Sequence, residues 1–251
     1  MKILVMVKQV PDTATQMKIG ADGRAIDTSG ITWIVSPYDE FALEEALRIK
    51  EAKGAGTVTV VSVGPERTKT GLRECLARGA DEAIWIDATG VPYLDALGTA
   101  KALAAVAKGG AYDFYWFGQK AVGPDEGLVG PMFAELAGVP HVASIVKLEV
   151  GDGKVTAHRE IEGAHEVVEC SLPAALTAQK GLNEPRYASL KGIMAAKKKP
   201  IVDSSLATLG VTTAQRVKVT TLEAPPARKA GIKVQSVEEL VAKLHNEAKV
   251  L

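Results

Sequence analysis

Phe114-Tyr115-Trp116-Phe117, followed by Gly118-Gln119-Lys120-Ala121-Val122-Gly123-Pro124-Asp125-Glu126-Gly127-Leu128-Val129-Gly130, is the stretch that decides the fold. Four consecutive bulky apolar residues fit a strand buried on both faces, as strands of a parallel sheet are. The glycine-rich stretch leaves the carboxyl end of that strand and runs into a helix predicted over Asp125–Ala137, stopped by Gly138. Working back toward the N-terminus, Ile3–Val7, Thr57–Val63 and Ala83–Ile86 are further apolar runs of strand length. Between them, helices are predicted over Asp39–Lys53, Glu66–Arg78 and Leu94–Lys108, each with apolar residues recurring at helical spacing. This alternation predicts an α/β fold with a doubly wound, mostly parallel sheet. Such sheets bind ligands beyond the carboxyl ends of their strands, and the amides of a helix N-terminus suit a phosphate. Gly118 to Gly123 has the glycine spacing of a Walker A loop, but Pro124-Asp125 stands where Lys-Ser/Thr is needed, which excludes ATP hydrolysis of that type. An SGGxDS-type pyrophosphatase loop is absent too. A plain strand-to-helix turn is the competing account of the same stretch.

After Pro140 the pattern changes. Ser144–Val150, Val155–Glu160, Glu166–Cys170 and Ala174–Ala178 alternate apolar and polar residues, with Gly151-Asp152-Gly153 as a hairpin turn, and predict added antiparallel strands. From Asn183 regularity fades until Ser236–Lys249, an amphipathic helix with Val237, Leu240, Val241 and Leu244 as its stripe. The stretch 184–235 holds Pro185, Pro200, Pro225 and Pro226 and is too long for an ordinary connection, so an arm that packs on another protein is expected. The expected division is a nucleotide-binding α/β domain over 1–183, a recognition loop over 184–202 and an extended C-terminal arm over 203–251.

Composition narrows the classes. The chain has 251 residues, 47% apolar and 24% charged, which is ordinary for a globular protein. No apolar run approaches the ~18 residues of a membrane span, and Met1–Lys8 holds too short an apolar stretch for a signal peptide. A cytoplasmic protein, not embedded in a membrane, is expected. Cys75 and Cys170 stand 95 positions apart, so neither a disulfide framework nor a zinc site is indicated. The net charge is zero, yet residues 186–251 carry 12 Lys/Arg against 5 Asp/Glu. With Tyr187 as its one aromatic, that basic quarter lacks stacking platforms, so nucleic acid ranks behind an acidic protein partner and behind pairing with the chain's own acidic body.

Other motifs carry little. His165-Glu166-Val167-Val168-Glu169 resembles HExxH without its last ligand and falls in an alternating strand, where positions one and five do not meet. The four histidines (His141, His158, His165, His245) lie near no serine or cysteine arrangement that suggests a nucleophile. Cys75 reads as a small core residue. No catalytic residue and no metal ligand is predicted.

The stretch Ala157–Thr177, with Glu160-Ile161-Glu162-Gly163-Ala164 leading to Leu172-Pro173, resembles the signature of the electron transfer flavoprotein β subunit, departing at Ala164. Leu182-Asn183-Glu184-Pro185-Arg186-Tyr187-Ala188-Ser189-Leu190, then Ile193-Met194 and Lys197-Lys198-Lys199, is similar to that family's partner-recognition segment. Val7-Lys8-Gln9-Val10-Pro11-Asp12, Gly79-Ala80-Asp81 and the tail Ala224–Gly231 match as well, so the resemblance runs along nearly the whole chain.

The resemblance implies an adenine-nucleotide α-hydrolase-like sheet, and an electron carrier rather than a stand-alone enzyme. It implies a heterodimer with an α subunit that holds FAD, against which this chain contributes a wall near Val10–Thr13, and an AMP bound in the β subunit. Electrons would come from acyl-CoA dehydrogenases and related flavoenzymes and pass to a membrane quinone oxidoreductase. By matching positions the AMP site is Met6, Ser36, Pro37, Tyr38, Asp39, Val63, and Gly118 through Val129. Partner recognition falls to Arg186, Tyr187, Leu190, Ile193, Met194, Lys197, Lys198 and Lys199. Lys120–Asp125 and Leu128-Val129 depart from the usual family loop, losing an acid and an amide, so AMP contacts shift toward backbone amides. Bifurcating relatives hold a second FAD in place of AMP; an adenine-nucleotide sensor of the universal-stress type is a further alternative, though such a chain would end near residue 180. A hydrolase on the same sheet lacks a triad or phosphate-binding lysine motif.

Overall fold

The apolar runs become strands in the computed structural model, which describes all residues except Pro92, Tyr93, Thr213, Ala214, Gln215 and Lys229. Lys229, part of the tail match, therefore lies outside the described residues. In chain order the elements are β1 (Lys2–Met6), β2 (Gln9–Pro11), β3 (Trp33–Val35), α1 (Pro37–Lys53), β4 (Thr57–Gly64), α2 (Thr68–Arg78), β5 (Glu82–Asp87), α3 (Ala96–Lys108) and β6 (Phe114–Gly118). There follow α4 (Val129–Ala137), β7 (His141–Val150), β8 (Lys154–Ile161), β9 (Ala164–Ser171), β10 (Ala174–Ala178), α5 (Leu190–Ala196), β11 (Ile201–Ser205) and α6 (Val237–Lys243), which continues into a π-helical turn at Leu244–Ala248.

Nine strands form one sheet in the order β11-β5-β4-β1-β6-β10-β7-β8-β9, and β2 pairs with β3 in a separate antiparallel ribbon. From β11 across to β7 every pairing is parallel. The chain steps outward from β1 through β4 to β5, then returns to lay β6 on the other side of β1. The strand order thus reverses between β1 and β6. Both faces are covered: one apolar cluster contains Val5, Leu43, Leu47, Leu72 and Trp116 beneath α1 and α2, and the other contains Leu4, Met6, Leu103, Phe117 and Phe133 beneath α3 and α4. Covering both faces is why these strands read as unbroken apolar runs.

Three expectations change. Ala174–Ala178 is not an antiparallel addition: it lies between β6 and β7, parallel to both, and all five residues are buried. Its one polar residue, Thr177, faces no solvent; its hydroxyl accepts the Ser144 amide at 3.0 Å. β7 runs parallel to β10 and antiparallel to β8, and the two-sided hairpins begin only there. The fourth helix starts at Val129 and not at Asp125, so the loop behind β6 is longer than expected. The region after Asn183 is not irregular throughout. Ser189 caps α5 by accepting the Gly192 amide at 3.0 Å, and Ile201–Ser205 extends the sheet as an edge strand.

The chain divides into two compact units: residues 1–16 with 28–218, and residues 17–27 with 219–251. The first contains the whole nine-stranded sheet. In the second, the Leu222 amide donates to the Gly23 carbonyl at 2.8 Å, and α6 leaves Val237, Leu240 and Val241 exposed.

Candidate functional site

The reversal of strand order places the carboxyl ends of β1 and β6 side by side, with the N-terminus of α1 beside them. Pro37 opens α1 and Ser36 precedes it as N-cap, yet the Ser36 side chain makes no cap hydrogen bond. Ser36 is 0% exposed, and its hydroxyl has no partner among the described residues. A hydroxyl left unpaired in the interior costs about 1–3 kcal/mol.

Asp39, one turn into α1, holds the site together. Its carboxylate accepts the Lys8 amide at 2.7 Å and the Gly118 amide at 2.9 Å, tying the loop after β1 to the end of β6. Burial pushes the Asp39 carboxyl up to about 7, against the opposing pull of those two amides. The approach is close enough to require glycine at 118. A Cβ there would stand 2.5 Å from Asp39 Oδ1 and 2.7 Å from the Tyr38 carbonyl carbon. Met6 belongs to the apolar cluster beneath α3 and α4, and Val63 and Val129 pack against it.

The stretch behind Gly118 turns back on itself. The Asp125 amide donates to the Ala121 carbonyl at 3.2 Å, and Asp125 has φ 52°, a left-handed conformation that Asp tolerates better than most residues. Lys120 reaches Asp125 at 2.8 Å and lies 5.9 Å above the Tyr38 ring. Phe133 packs 5.1 Å from both Tyr115 and Phe117, which seats α4 behind the loop. Gln119 donates to Ser144 Oγ at 3.0 Å, while its Oε1 is buried without a partner among the described residues. His141 Nε2 is likewise unpartnered; burial, and then the Arg159 charge, holds that imidazole below its ordinary value. Glu126 and Leu128 are exposed. The structure thus brings Met6, Ser36, Asp39, Val63, Gly118 and Gln119 to one end of the sheet, with Ser144, Thr177 and His141 as neighbours the sequence did not single out.

The recognition segment is built differently. Leu190 opens α5 and is 84% exposed, Tyr187 is 94% exposed, and Ile193 and Met194 also face solvent. The base beneath them is firmly held. Gly192 lies where a Cβ would collide with the Ala77 carbonyl of α2, and Arg73 donates to the carbonyls of Ala196 and Lys199 at 2.5 Å each. Lys199 donates to the Ala80 carbonyl, and Arg186 is bound to Glu44 and Glu51 of α1, so among the described residues of this segment Lys191, Lys197 and Lys198 are the exposed cations left for a rim. A groove of about 450 Å³ lined by Lys69, Thr70, Arg73, Ile201 and Asp203 shares Arg73 with the base of the recognition segment and no residue with the switch-point site. Its Lys69 and Asp203 neutralise each other at 3.1 Å. Among the described residues no cluster suits a metal ion, and no helix is long and apolar enough to cross a membrane.

Comparison with known proteins bears on both regions. A family model described as "Electron transfer flavoprotein domain" matches residues 24–209. The electron transfer flavoprotein subunit beta of Bradyrhizobium diazoefficiens is 41% identical over 251 residues, spanning 100% of both chains. The mitochondrial electron transfer flavoprotein subunit beta of Arabidopsis thaliana is 40% identical over 253 residues, and the electron transfer flavoprotein subunit beta of Bacillus subtilis is 38% identical over 260, again spanning 100% of each chain.

Proposed function

This chain belongs to the electron transfer flavoprotein family as a β subunit, an electron carrier and not a catalytic enzyme, and on that premise we propose that its switch-point site holds AMP while the segment 184–202 docks a reduced flavoenzyme. One observation carries the nucleotide reading. The wholly buried Ser36 hydroxyl, without a partner among the described residues, stands at the N-terminus of α1, whose Asp39 accepts the amide of Gly118 at the end of β6. Pro37 carries no N–H and the Asp39 and Glu40 amides donate to the Ser36 carbonyl, so what that helix end offers an anion is the Tyr38 amide and the positive end of the helix dipole. Pro37 and Tyr38 form the first turn of α1. Gln119 adds a buried acceptor, and Lys120 through Val129 follow it, with Gly123 through Leu128 exposed.

The partner of this subunit is an α subunit that holds FAD, and FAD supplies the one-electron and two-electron chemistry there. This chain's part is to bind, orient and hold. Val10–Thr13 lines one side of the flavin, and residues 219–251, with the exposed stripe of Val237, Leu240 and Val241, pack on the α subunit. The donors are acyl-CoA dehydrogenases and related flavin dehydrogenases, and the acceptor is a membrane quinone oxidoreductase. The heterodimer works in the cytoplasm. Leu190, presented by α5 with Tyr187, Ile193 and Met194 around it, anchors in an apolar pocket of the donor. Lys191, Lys197 and Lys198 meet that pocket's acidic rim.

The test is the nucleotide content of the purified chain, read by absorbance and mass after denaturation. One AMP per chain and no stoichiometric FAD are expected, with FAD appearing only in the heterodimer. One FAD per isolated chain, retained through gel filtration, would instead establish a bifurcating-type subunit; no adenine nucleotide at all would end the site reading. Truncation after Lys218, where the first compact unit ends, is expected to leave AMP bound and to weaken assembly with the α subunit.

A further inference from the structure

Residues 183–189 form no helix or strand, yet they set where α5 begins. Ala188 packs against the core, while Tyr187 is almost fully in solvent, as is Leu190 just after the segment. Polar side chains add further anchors. Asn183 donates to the Phe41 carbonyl at 3.0 Å and to Glu45 at 2.9 Å. Arg186 makes the larger connection. Its Nε and one terminal nitrogen donate to Glu44 at 2.8 and 3.0 Å, and its terminal nitrogens reach Glu51 at 2.6 and 3.0 Å. Its own amide adds a bond to Glu44 at 3.1 Å.

Glu44 and Glu51 lie seven residues apart, two turns along one face of α1. A guanidinium has five donors in a rigid plane and can serve two carboxylates together; an ammonium cannot hold that geometry. We infer that Arg186 is a positioning residue for donor docking, a strut from the recognition segment to α1 that fixes the angle at which α5 presents Leu190. The inference rests on the docking reading given above. It differs from a role in the rim, because a guanidinium bound to two carboxylates of its own chain is not free to meet a partner's acid. The other end of α5 is fixed independently by Arg73 and by the packing of Gly192 on α2. Loss of Arg186 should therefore loosen the lead-in while α5 stays folded.

The electron-transfer heterodimer, with an acyl-CoA dehydrogenase reduced by its acyl-CoA as donor, tests this in Arg186→Met, Arg186→Lys, Leu190→Ala and the Arg186→Met/Leu190→Ala double variant. Arg186→Met is expected to raise the KM for the carrier about tenfold with kcat, FAD content and AMP content unchanged, and Arg186→Lys about threefold. Because Arg186 acts through Leu190, adding Leu190→Ala to Arg186→Met should cost far less than Leu190→Ala alone. Should Arg186→Met fail to assemble, Arg186→Lys and its double variant with Leu190→Ala carry the same test. If Leu190→Ala raises KM while the Arg186 variants leave it unchanged, the strut is wrong and docking stands. Fully additive effects also overturn it, as does a loss of melting temperature with KM per assembled heterodimer intact. If Leu190→Ala itself leaves KM unchanged, the docking reading fails and the strut fails with it.

Discussion

At the N-terminus of α1 polar groups are buried and short of partners, whereas beside its C-terminal half the recognition segment holds apolar groups in water on an ion-paired base. Ser36 Oγ and Gln119 Oε1 have no partner among the described residues, and Asp39 spends its hydrogen bonds drawing two strand ends together. Leu190, Met194 and Tyr187 stand exposed above Gly192, Arg73 and the Arg186 bridge. Each region forgoes a different kind of stability, buried polar atoms left unpaired in one and apolar side chains left in water in the other. What the two share is rigidity beneath the exposed or unpaired groups. That shared element is α1, with Ser36 and Asp39 at one end and Glu44 and Glu51 farther along.

The largest expected effect separates the regions. Gly118→Ala places a Cβ against the Tyr38 backbone and Asp39, neither of which is a flexible chain end. Destabilisation of about 3 kcal/mol is expected from such overpacking, with loss of the bound nucleotide, read by thermal unfolding and nucleotide content. Gly192→Ala, which meets the Ala77 carbonyl, should lower donor docking and spare the nucleotide. Nucleotide loss in Gly192→Ala as well would mean that the two regions are not independent.

Next in size is a pH effect confined to the buried end. The Asp39 carboxyl titrates near 7 in the folded chain, raised by burial, against an ordinary value of 3.8. Between those values the folded state holds a proton that the unfolded state has released, so stability from this group rises as pH falls. Lowering the pH from 8 to 5.5 should stabilise the native chain by about 2 kcal/mol through Asp39 alone. His141 pulls the opposite way: burial holds its imidazole below 6.5, so the folded chain resists a proton that the unfolded chain takes up as pH falls. The quantity to measure is therefore the stability difference between wild type and Asp39→Asn across that range. A difference that does not change with pH would show that Asp39 is ionised throughout and that the two amides outweigh its burial.

The sequence disclosed these regions unequally. Strands buried on both faces announce themselves as apolar runs, and the position of Gly118 after Phe114–Phe117 pointed to the carboxyl end of the sheet where the site stands. Ala174–Ala178 misled because Thr177 suggested alternation, while its hydroxyl is spent on the Ser144 amide inside the sheet. The helix of the recognition segment carried a readable cap in Ser189, but seven residues give too little periodicity to register. The Arg186 bridge had no local signal: its partners lie 142 and 135 residues away. Nor did the unpaired state of Ser36, since a serine ahead of Pro37 reads as a helix cap whether or not its hydroxyl makes the cap bond. Local patterns reveal where an element is, and only the packed structure reveals which polar atoms it leaves unpaired.

The smallest expected effect concerns the rim of the docking platform. Lys191, Lys197 and Lys198 are exposed, unlike Lys199, which donates to the Ala80 carbonyl. Solvent-exposed cations interact over roughly 8 Å at physiological ionic strength, and such charges act mainly on the rate of encounter. Changing the three to glutamine should slow donor capture less than about threefold at 0.15 M salt, with the deficit growing as salt is lowered. Lys199→Gln should behave differently, lowering stability slightly while leaving the salt slope of capture unchanged. Stopped-flow rates across ionic strength distinguish the two variants. If the triple variant keeps the wild-type salt slope, the donor does not present an acidic rim here, and recognition rests on the apolar group of Leu190, Ile193 and Met194.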